Sequence, residues 1–331
     1  MRPTLPALTS ARFVAALFVV IFHYDRKLDI FPESMAQFGY EPVTFFFVLS
    51  GFVLAYSHAK ADQLNVTARQ FWLRRVKRLV PTYLLALAIS APFLVATTIR
   101  TGFNPGNLLV PLFLQAWWPP ASLLWNGPAW SLSNEAFFYL LFPICWGWLS
   151  QPRPSKLMAI SVSLLAISTF IKWLTSSVSH DFSAYFPLLN APQFLLGIAL
   201  ARIFLSIDER VNFLWLPTLA LIVVIAAKSY LPFVANDFIL GTVFAALIWG
   251  LADVRTGPLS SKWFETLGSS SYALYILHVP IWLWWDRITR VLLNLPLSTA
   301  VDFAGYLLVS IVASLLSYRF FERRALAVPH R

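Results

Sequence analysis

The chain is poor in cysteine and in charge. Its 331 residues include one cysteine, Cys145, so an intramolecular disulfide framework and a cysteine-ligated metal site are both excluded. Charged residues make up only 12% of the chain, about half of the share that soluble domains carry. The sequence is therefore not that of a water-soluble globular domain, and we expect no metal site.

Apolar residues take the place of the missing charge. Hydrophobic residues make up 58% of the chain, with 29 Phe and 14 Trp. Apolar runs of roughly 16 to 22 residues recur along the whole length, which is close to the ~20 residues that a helix needs to cross a bilayer. No long polar segment separates these runs. The sequence therefore predicts one all-α, polytopic membrane domain over residues 1–331.

The apolar runs predict about ten transmembrane helices. A further apolar piece at 108–118 is too short to cross the ~30 Å hydrocarbon layer, so we expect a re-entrant or interfacial segment there. The predicted spans lie near residues 8–24, 43–58, 80–98, 128–149, 156–174, 185–205, 212–228, 236–252, 270–286 and 299–319.

The basic residues predict the orientation of these helices. Most Lys and Arg residues lie in alternate loops and in both tails, and basic loops favour the cytoplasmic side, so both termini are predicted to be cytoplasmic. The net charge of +10 is therefore assigned to topology and lipid headgroups rather than to nucleic acid. The first helix has no small-residue cleavage site after it, so we expect it to be retained. The acidic loop at 25–42 is then external.

The first predicted helix carries Arg12 near one end and His23 near the other. A charge inside a membrane helix costs about 2.5–3.5 kcal/mol on insertion scales, so an intramembrane arginine indicates function. The two residues are eleven positions apart, which at about 100° per residue places them on one face, about 16 Å apart along the axis. This spacing favours a shared cavity. Alternatively, each side chain anchors its end of the helix at the lipid headgroups.

Two further segments allow a structural and a functional interpretation. Ser50 and Gly51 interrupt a run of bulky residues, which suits either close helix packing or a ligand lying against the helix. The segment 69–81 groups Arg75 and Arg78 on one helix. These side chains could attract anionic lipid or hold phosphate oxygens through bidentate guanidinium contacts.

Glu135 is a carboxylate that we predict well inside a span. Ser131, Glu135 and Tyr139 recur at i, i+4 and i+8, so they form a polar stripe on one helix face. Intramembrane carboxylates commonly belong to functional sites, and the structural alternative is an ion pair with an arginine. A second stripe at 271–282 includes His278, which we interpret as hydrogen-bonding to a neighbouring helix.

Six segments follow one another in a recognisable order. Taken as an ordered set they resemble the integral-membrane acyltransferase 3 family, whose members O-acylate bacterial surface carbohydrates and some antibiotics. The resemblance is carried by Arg12 with His23, FFFVLSGF at 45–52, FWLRRVKRLVP at 71–81, PAWSLSNEAFFY at 128–139, QFLLGIALA at 193–201 and SYALYILHVP at 271–280.

The resemblance implies an enzyme of the bacterial inner membrane. It would move an acyl group from acyl-CoA, with acetyl-CoA as the expected donor, to a hydroxyl of a cell-surface or lipid-linked carbohydrate. It also implies that His23 is catalytic. The acyl-CoA site would include Arg12, Ser50, Gly51 and the Arg75–Arg78 pair.

The implied roles suggest a mechanism. His23, whose ordinary pKa lies near 6.5, suits a general base that takes the acceptor's hydroxyl proton. Glu135 could orient its imidazole. The extended pantetheine arm of the donor can bridge the ~16 Å between Arg12 and His23. An acyl-enzyme route through a serine or tyrosine stays open as an alternative.

Two other functions are compatible with the sequence. The same chemistry could act on a small secondary metabolite such as a macrolide. A solute transporter is the alternative of another class, but inverted repeats with broken helices are typical of transporters and each of the segments above occurs once. The sequence ends at Arg331, so we expect no soluble esterase-like domain of the kind that some relatives carry.

Overall fold

The computed structural model describes residues 3–25, 38–60, 63–207, 214–228, 236–295 and 298–322. Nearly all regular structure in these ranges is helical. A short antiparallel pair follows the second helix, in which β1 (Ala59–Lys60) pairs with β2 (Gln63–Leu64). The α-helices are α1 Pro6–Asp25, α2 Pro42–His58, α3 Ala68–Thr101, α4 Trp130–Ser150, α5 Pro154–Thr175, α6 His180–Tyr185, α7 Pro187–Ser206, α8 Trp215–Ala227, α9 Asp237–Ala252, α10 Lys262–Ser269, α11 Ser271–Asp286 and α12 Thr299–Ser317.

Six helical segments in the described ranges are long and apolar enough to cross a membrane, by length and composition. They are Pro6–Tyr24, Phe38–His58, Ala68–Thr101, Pro154–Thr175, His180–Ser206 and Thr299–Glu322. The predicted all-α membrane class is confirmed. The other predicted spans fall on α8, α9 and α11, which have 13, 16 and 16 residues, and on α4, whose first two turns contain Ser131, Ser133, Asn134 and Glu135.

Large apolar side chains cover the outer faces of several helices. Ile99 on α3 is 80% exposed, Trp173 on α5 is 69% exposed and Leu308 on α12 is 64% exposed. Such surfaces would be unfavourable in water, because exposed apolar area is costly there, but they suit hydrocarbon. The surface therefore agrees with a multi-pass membrane protein.

Helix α3 is longer than the predicted span at 80–98. It begins with a capping box, in which the Thr67 side chain accepts from the Gln70 N–H at 3.3 Å and the Gln70 side chain accepts from the Thr67 N–H at 3.2 Å. Its 34 residues reach about 51 Å at 1.5 Å per residue. The basic segment and the span are therefore one continuous helix, which carries Arg75 and Arg78 on the same rigid element as the membrane-spanning part.

The segment between α3 and α4 is compact but not α-helical. It consists of turns and short 3-10 helices at Pro105–Leu108, Gln115–Trp117, Pro119–Ala121 and Gly127–Ala129. The Tyr83 hydroxyl donates to the Val110 carbonyl, so side chains of α3 hold the segment against the bundle. The apolar piece predicted at 108–118 contains no helix long enough to cross a bilayer.

Helices α2 and α7 cross with their backbones nearly in contact. A Cβ atom built on Gly51 would lie 2.0 Å from the Phe194 carbonyl oxygen, and one built on Gly197 would lie 1.9 Å from the Val48 carbonyl oxygen. These two glycines therefore allow an approach that a larger residue would prevent. This is the packing role that the sequence offered as one interpretation of Gly51.

Replacing either glycine should loosen this crossing. Gly51→Ala and Gly197→Ala are expected to destabilise the protein by about 1–3 kcal/mol, because each added methyl group overpacks the contact. Thermal unfolding of the purified protein in detergent, followed by size-exclusion chromatography, measures the effect. Gly147→Ala is the matched control, since a Cβ there meets nothing within 4 Å. Equal stability of Gly51→Ala and Gly147→Ala would contradict the close crossing.

Candidate active site

A small cavity, which we call the narrow cavity, lies between α1, α2, α3, α4 and α11. Its volume is about 90 Å³. Five residues predicted from the sequence lie in its wall, although they come from four different helices: Arg12, Ser50, Arg75, Arg78 and Glu135. The structure therefore brings together most of the predicted donor site and the predicted intramembrane carboxylate.

Tyr139 links two of these residues by hydrogen bonds. The Ser50 hydroxyl donates to the Tyr139 hydroxyl at 3.2 Å, and the Tyr139 hydroxyl donates to Oε2 of Glu135 at 3.1 Å. Glu135 and Tyr139 are one turn apart on α4, as the i, i+4 pattern predicts. The chain of bonds fixes the carboxylate at the cavity wall.

Arg75 faces the same cavity with part of its hydrogen-bonding capacity unused. Its guanidinium lies over two aromatic rings, 5.2 Å from the Phe71 centroid and 5.6 Å from the Tyr139 centroid. These cation–π contacts hold the planar group in place. Its Nε atom is buried and has no hydrogen-bond partner in the part of the chain that the structure describes. A buried donor of this kind is suited to an incoming anion.

A wider cavity adjoins the narrow one. Its volume is about 860 Å³, and Arg12, Leu49 and Val53 lie in the walls of both. Arg74 adds a further guanidinium to the wall of the wider cavity. We call this wider cavity the vestibule. The vestibule and the narrow cavity share a wall that includes the guanidinium of Arg12, and we call the two cavities together the path.

The balance of charge around this path is positive. Glu322, at the end of the helical segment that follows α12, is 1% exposed and lies within electrostatic reach of Arg12 and Arg78. Even with Glu135, Glu322 and the vestibule's Glu265 all ionised, the four arginines of the two cavities leave an excess of positive charge. Glu322 could not be predicted from the sequence, because no spacing links it to arginines that are hundreds of residues away.

No metal centre is evident in the described ranges, where no three His, Cys, Asp or Glu side chains lie close enough together to hold an ion. Besides Glu135, Glu265 and His58, the walls of the vestibule and the narrow cavity carry arginine, serine and tyrosine side chains. The arginines are suited to bind oxyanions.

His23 lies at the opposite end of α1 from Arg12. Its Nδ1–H donates to the Val19 carbonyl at 2.8 Å, and Phe22 packs edge-on against its ring at 5.0 Å between centroids. The His278 ring of α11 lies 4.9 Å away, at an interplanar angle of 61°. We call these two side chains the histidine pair.

The interpretation of His278 as an interhelical hydrogen-bonding residue needs correction. His278 is fully buried, and its Nδ1–H donates at 2.7 Å to the Tyr275 carbonyl of its own helix. The side chain of His278 instead contacts a neighbouring helix through the ring of His23 on α1. The sequence carried a signal, since His278 lies on the polar stripe with Tyr275, but its partner on α1 could not be deduced from spacing.

Asp302 of α12 anchors the end of α1 beside the histidine pair. Its carboxylate accepts from the Tyr24 hydroxyl at 3.0 Å, from the Trp285 indole N–H at 2.7 Å and from Arg290 at 3.1 Å. These bonds tie α1, α11 and α12 together one residue beyond His23. This buried carboxylate is a rigid anchor because donors hold both of its oxygens: Trp285 bonds to Oδ1, and Tyr24 and Arg290 bond to Oδ2.

The structure does not group all predicted residues as expected. Glu135 shares its cavity with Arg12, which lies about 16 Å from His23 along α1, so the carboxylate lies with the arginines rather than with the imidazole that we expected it to orient. Gly51 packs against α7 rather than lining the cavity. The roles of both residues stay predictions.

The predicted acidic loop at 25–42 is described only at its ends. Residues 26–37, which include Asp29 and Glu33, lie outside the described residues. Glu41 is described, and it forms a buried ion pair with Lys228.

The sequence matches a known protein family. The model of the acyltransferase 3 family, an acyltransferase domain, matches residues 5–319. The chain belongs to this family. The resemblance found in the sequence is therefore confirmed, and the chain is a membrane acyltransferase.

Two proteins to which this acyltransferase is similar are themselves named as an acyltransferase and an O-acetyltransferase. It is 28% identical to acyltransferase MdmB of Streptomyces mycarofaciens, over 83% of this chain and 78% of the relative. It is 24% identical to peptidoglycan O-acetyltransferase OatA of Listeria monocytogenes, over 85% of this chain and 50% of the relative. The acyltransferase thus spans about half the length of OatA. No solved structure matches it.

Proposed function

We propose that this acyltransferase moves an acetyl group from acetyl-CoA to a hydroxyl of a cell-surface or lipid-linked carbohydrate, with residues 1–331 acting as one domain. The observation that carries the proposal is the cationic path formed by the vestibule and the narrow cavity. It adjoins Arg12 on α1, the helix whose far end carries His23. Family membership indicates the reaction class, acyl transfer. The size and charge of this path support acetyl-CoA as the donor.

Acyl-CoA has the shape that this path would accept. Its nucleotide end is bulky and carries phosphates, which suits the vestibule of about 860 Å³. Its pantetheine arm is thin and linear, which suits the narrow cavity of about 90 Å³. Arg75 and Arg78, in the wall of the narrow cavity, would hold the phosphate oxygens nearest the arm, since guanidinium forms bidentate bonds with phosphate. The arm would then extend along α1 from Arg12 toward His23.

His23 would act as the general base at the thioester. A carbonyl oxygen can only accept a hydrogen bond, so the bond from Nδ1 to Val19 places the proton of the neutral ring on Nδ1 and leaves a lone pair on Nε2. Nε2 takes the proton of the acceptor hydroxyl as its oxygen attacks the thioester carbonyl. The ester C–O bond forms, the C–S bond breaks, and the thiolate takes the proton to become free coenzyme A.

The donor and the acceptor would approach from opposite sides of the bacterial inner membrane. We propose the ten-span topology with both termini cytoplasmic, which places the vestibule on the cytoplasmic side and His23 toward the outside. Basic residues concentrate on the vestibule side, in agreement with the positive-inside rule. Acetyl-CoA is then drawn from the cytoplasm, and the acceptor is an exported molecule that also contacts membrane lipid.

Reporter fusions test this topology. A fusion after residue 122 is expected to report the external side, and a fusion after residue 153 the cytoplasmic side, because α4 crosses between them. Paired phosphatase and fluorescent-protein fusions give opposite signals at each position and so control for expression. A fusion at residue 153 that reports the external side would contradict the ten-span topology.

A small hydroxylated metabolite is the second candidate acceptor. The match to acyltransferase MdmB covers 78% of that relative, whereas the match to peptidoglycan O-acetyltransferase OatA covers 50%. The length of this chain is thus closer to that of MdmB, whose name mentions no surface polymer, than to that of OatA. The transfer reaction is the same for both acceptors, since each presents a hydroxyl group.

Mass spectrometry of the producing cells distinguishes the acceptors. Surface glycans and lipid-linked precursors from cells with the active gene should carry an acetyl ester that is missing with a His23→Gln allele. Extracts of small metabolites from the same cultures serve as the parallel sample. An ester that disappears only from the metabolite fraction would replace the carbohydrate by the second candidate. Identical glycan and metabolite profiles for both alleles would contradict the proposed function.

A further inference from the structure

The histidine pair joins two residues that are far apart in the sequence. The ring centroids of His23 and His278 are 4.9 Å apart. Two imidazoles in contact are an unusual way to fill an apolar interior, because each ring has a polar nitrogen that must be satisfied. Packing alone therefore does not account for the pair, and none of the roles assigned above uses His278.

Both rings are held in the same tautomer. Nδ1–H of His23 donates to the Val19 carbonyl at 2.8 Å, and Nδ1–H of His278 donates to the Tyr275 carbonyl at 2.7 Å. Because each partner is a carbonyl, each neutral ring carries its proton on Nδ1 and a lone pair on Nε2. The pair therefore presents two basic Nε2 atoms within one small region.

The Nε2 atom of His278 is available as an acceptor. It is buried and has no hydrogen-bond partner in the described part of the chain. The neighbouring hydroxyls are directed elsewhere: Tyr306 donates to the backbone carbonyl of His278 at 3.2 Å, and Tyr275 donates to the Pro128 carbonyl at 3.0 Å. An unpaired buried acceptor costs about 1–3 kcal/mol, so its retention beside His23 calls for a partner that forms only transiently.

We propose that the lone pair on Nε2 of His278 stabilises the positive charge of the His23 imidazolium that forms during acyl transfer. His278 is thus a positioning residue, and the proposal rests on the proposed role of His23 as the base. The hydroxyl proton moves to Nε2 of His23, the ester C–O bond forms and the thioester C–S bond breaks. His23 holds the proton until the leaving thiolate takes it, and the His278 ring 4.9 Å away lowers the cost of its charge. Both rings are then neutral again, and no further reactant is consumed.

Two substitutions separate this role from packing. His278→Phe keeps a planar ring but removes the acceptor, whereas His278→Gln loses the ring but places a carbonyl oxygen near the position of Nε2. We expect His278→Phe to lower kcat about 10- to 100-fold, the effect of losing one polar contact to a buried charge, with the KM for acetyl-CoA unchanged. His278→Gln should retain more activity than His278→Phe. The reverse order would show a packing residue and overturn the proposal.

Trp284→Phe is the matched control on α11. It also removes one hydrogen bond, from the indole N–H to the Ile89 carbonyl at 2.8 Å, but lies away from the histidine pair. We expect its kcat to be parental. Donor binding of every variant is measured as the acetyl-CoA-dependent rise in the unfolding temperature of the purified protein. A parental rise for His278→Phe together with the lower kcat supports positioning, and loss of the rise overturns it.

The double variant His23→Gln/His278→Phe gives an independent test. If His278 acts through His23, the double variant is no slower than His23→Gln alone, because the two losses are not additive. A further loss of 10-fold or more at equal membrane levels would overturn the proposal.

The outcomes for the single variants also separate the proposed function from the proposed role of His278. Parental turnover of His23→Gln would contradict the proposed function, whereas an inactive His23→Gln with a fully active His278→Phe would overturn only the role of His278.

Discussion

His23→Gln is expected to lower acyl transfer about 10²- to 10⁴-fold, the usual contribution of a positioned general base. Glutamine keeps polarity and hydrogen bonding at this position but cannot take a proton near pH 7. His23→Ala should lose activity to a similar degree. A histidine that served only structure would tolerate glutamine far better than alanine. The initial rate of labelled acetyl transfer from acetyl-CoA in isolated membranes measures the effect.

Two controls accompany the His23 variants. His180→Gln removes a histidine that is largely exposed, with 74% of its side chain accessible, and should leave the rate unchanged. Glu135→Gln should cost less than His23→Ala, because the carboxylate lies with the arginines and the base stays in place. Membrane levels of each variant are compared by immunoblot. A well-expressed His23→Gln protein with a near-parental rate would remove His23 from the chemistry.

Arg75→Ala and Arg78→Ala should each raise the KM for acetyl-CoA about 10- to 100-fold. Each change removes a guanidinium that can form charge-assisted bonds to phosphate, worth about 1.5–3 kcal/mol. The Nε atom of Arg75, which is buried without a partner among the described residues, gives this expectation its structural basis. Lysine at either position should rescue only in part, because an ammonium group lacks the planar fork. Initial rates over a range of donor concentrations measure the change.

Lys77→Ala is the matched control for these arginine variants. Lys77 lies between them on α3 but is exposed, so it would contribute to lipid attraction but not to the cavity. Its KM for acetyl-CoA should stay parental. If Lys77→Ala raises the KM as much as Arg75→Ala does, the basic segment is a contact for anionic lipid, which was the structural interpretation of this segment.

Local patterns in the sequence predict much of the fold and part of the site. Hydrophobic runs predict membrane helices because burial in hydrocarbon depends on local composition. Helical periodicity places Ser131, Glu135 and Tyr139 on one face, and the structure joins the last two by a hydrogen bond. The capping box that starts α3 is equally local. Such features depend on residues a few positions apart, which a single sequence displays directly.

Contacts between distant segments could not be predicted in the same way. His23 meets His278, and Glu322 lies near Arg12, because of how helices pack rather than because of any spacing in the sequence. The structure also shows α3 as one continuous helix through Pro81, whereas the sequence predicted a basic segment at 69–81 and a span near 80–98. Without its tertiary neighbours, Glu135 was placed with the imidazole instead of with the arginines.

Acetyl transfer across sealed vesicles tests the central claim most directly. Labelled acetyl-CoA is supplied to one face of vesicles that contain the endogenous acceptor, and alkali-labile label is measured in the glycan fraction. Labelled glycan is expected when the cytoplasmic face of the vesicles is outermost, and little is expected from intact vesicles of the opposite orientation. Vesicles with His23→Gln should give no labelled glycan in either orientation. Equal labelling from both faces, or parental labelling with His23→Gln, would contradict a cytoplasmic donor path that ends at His23.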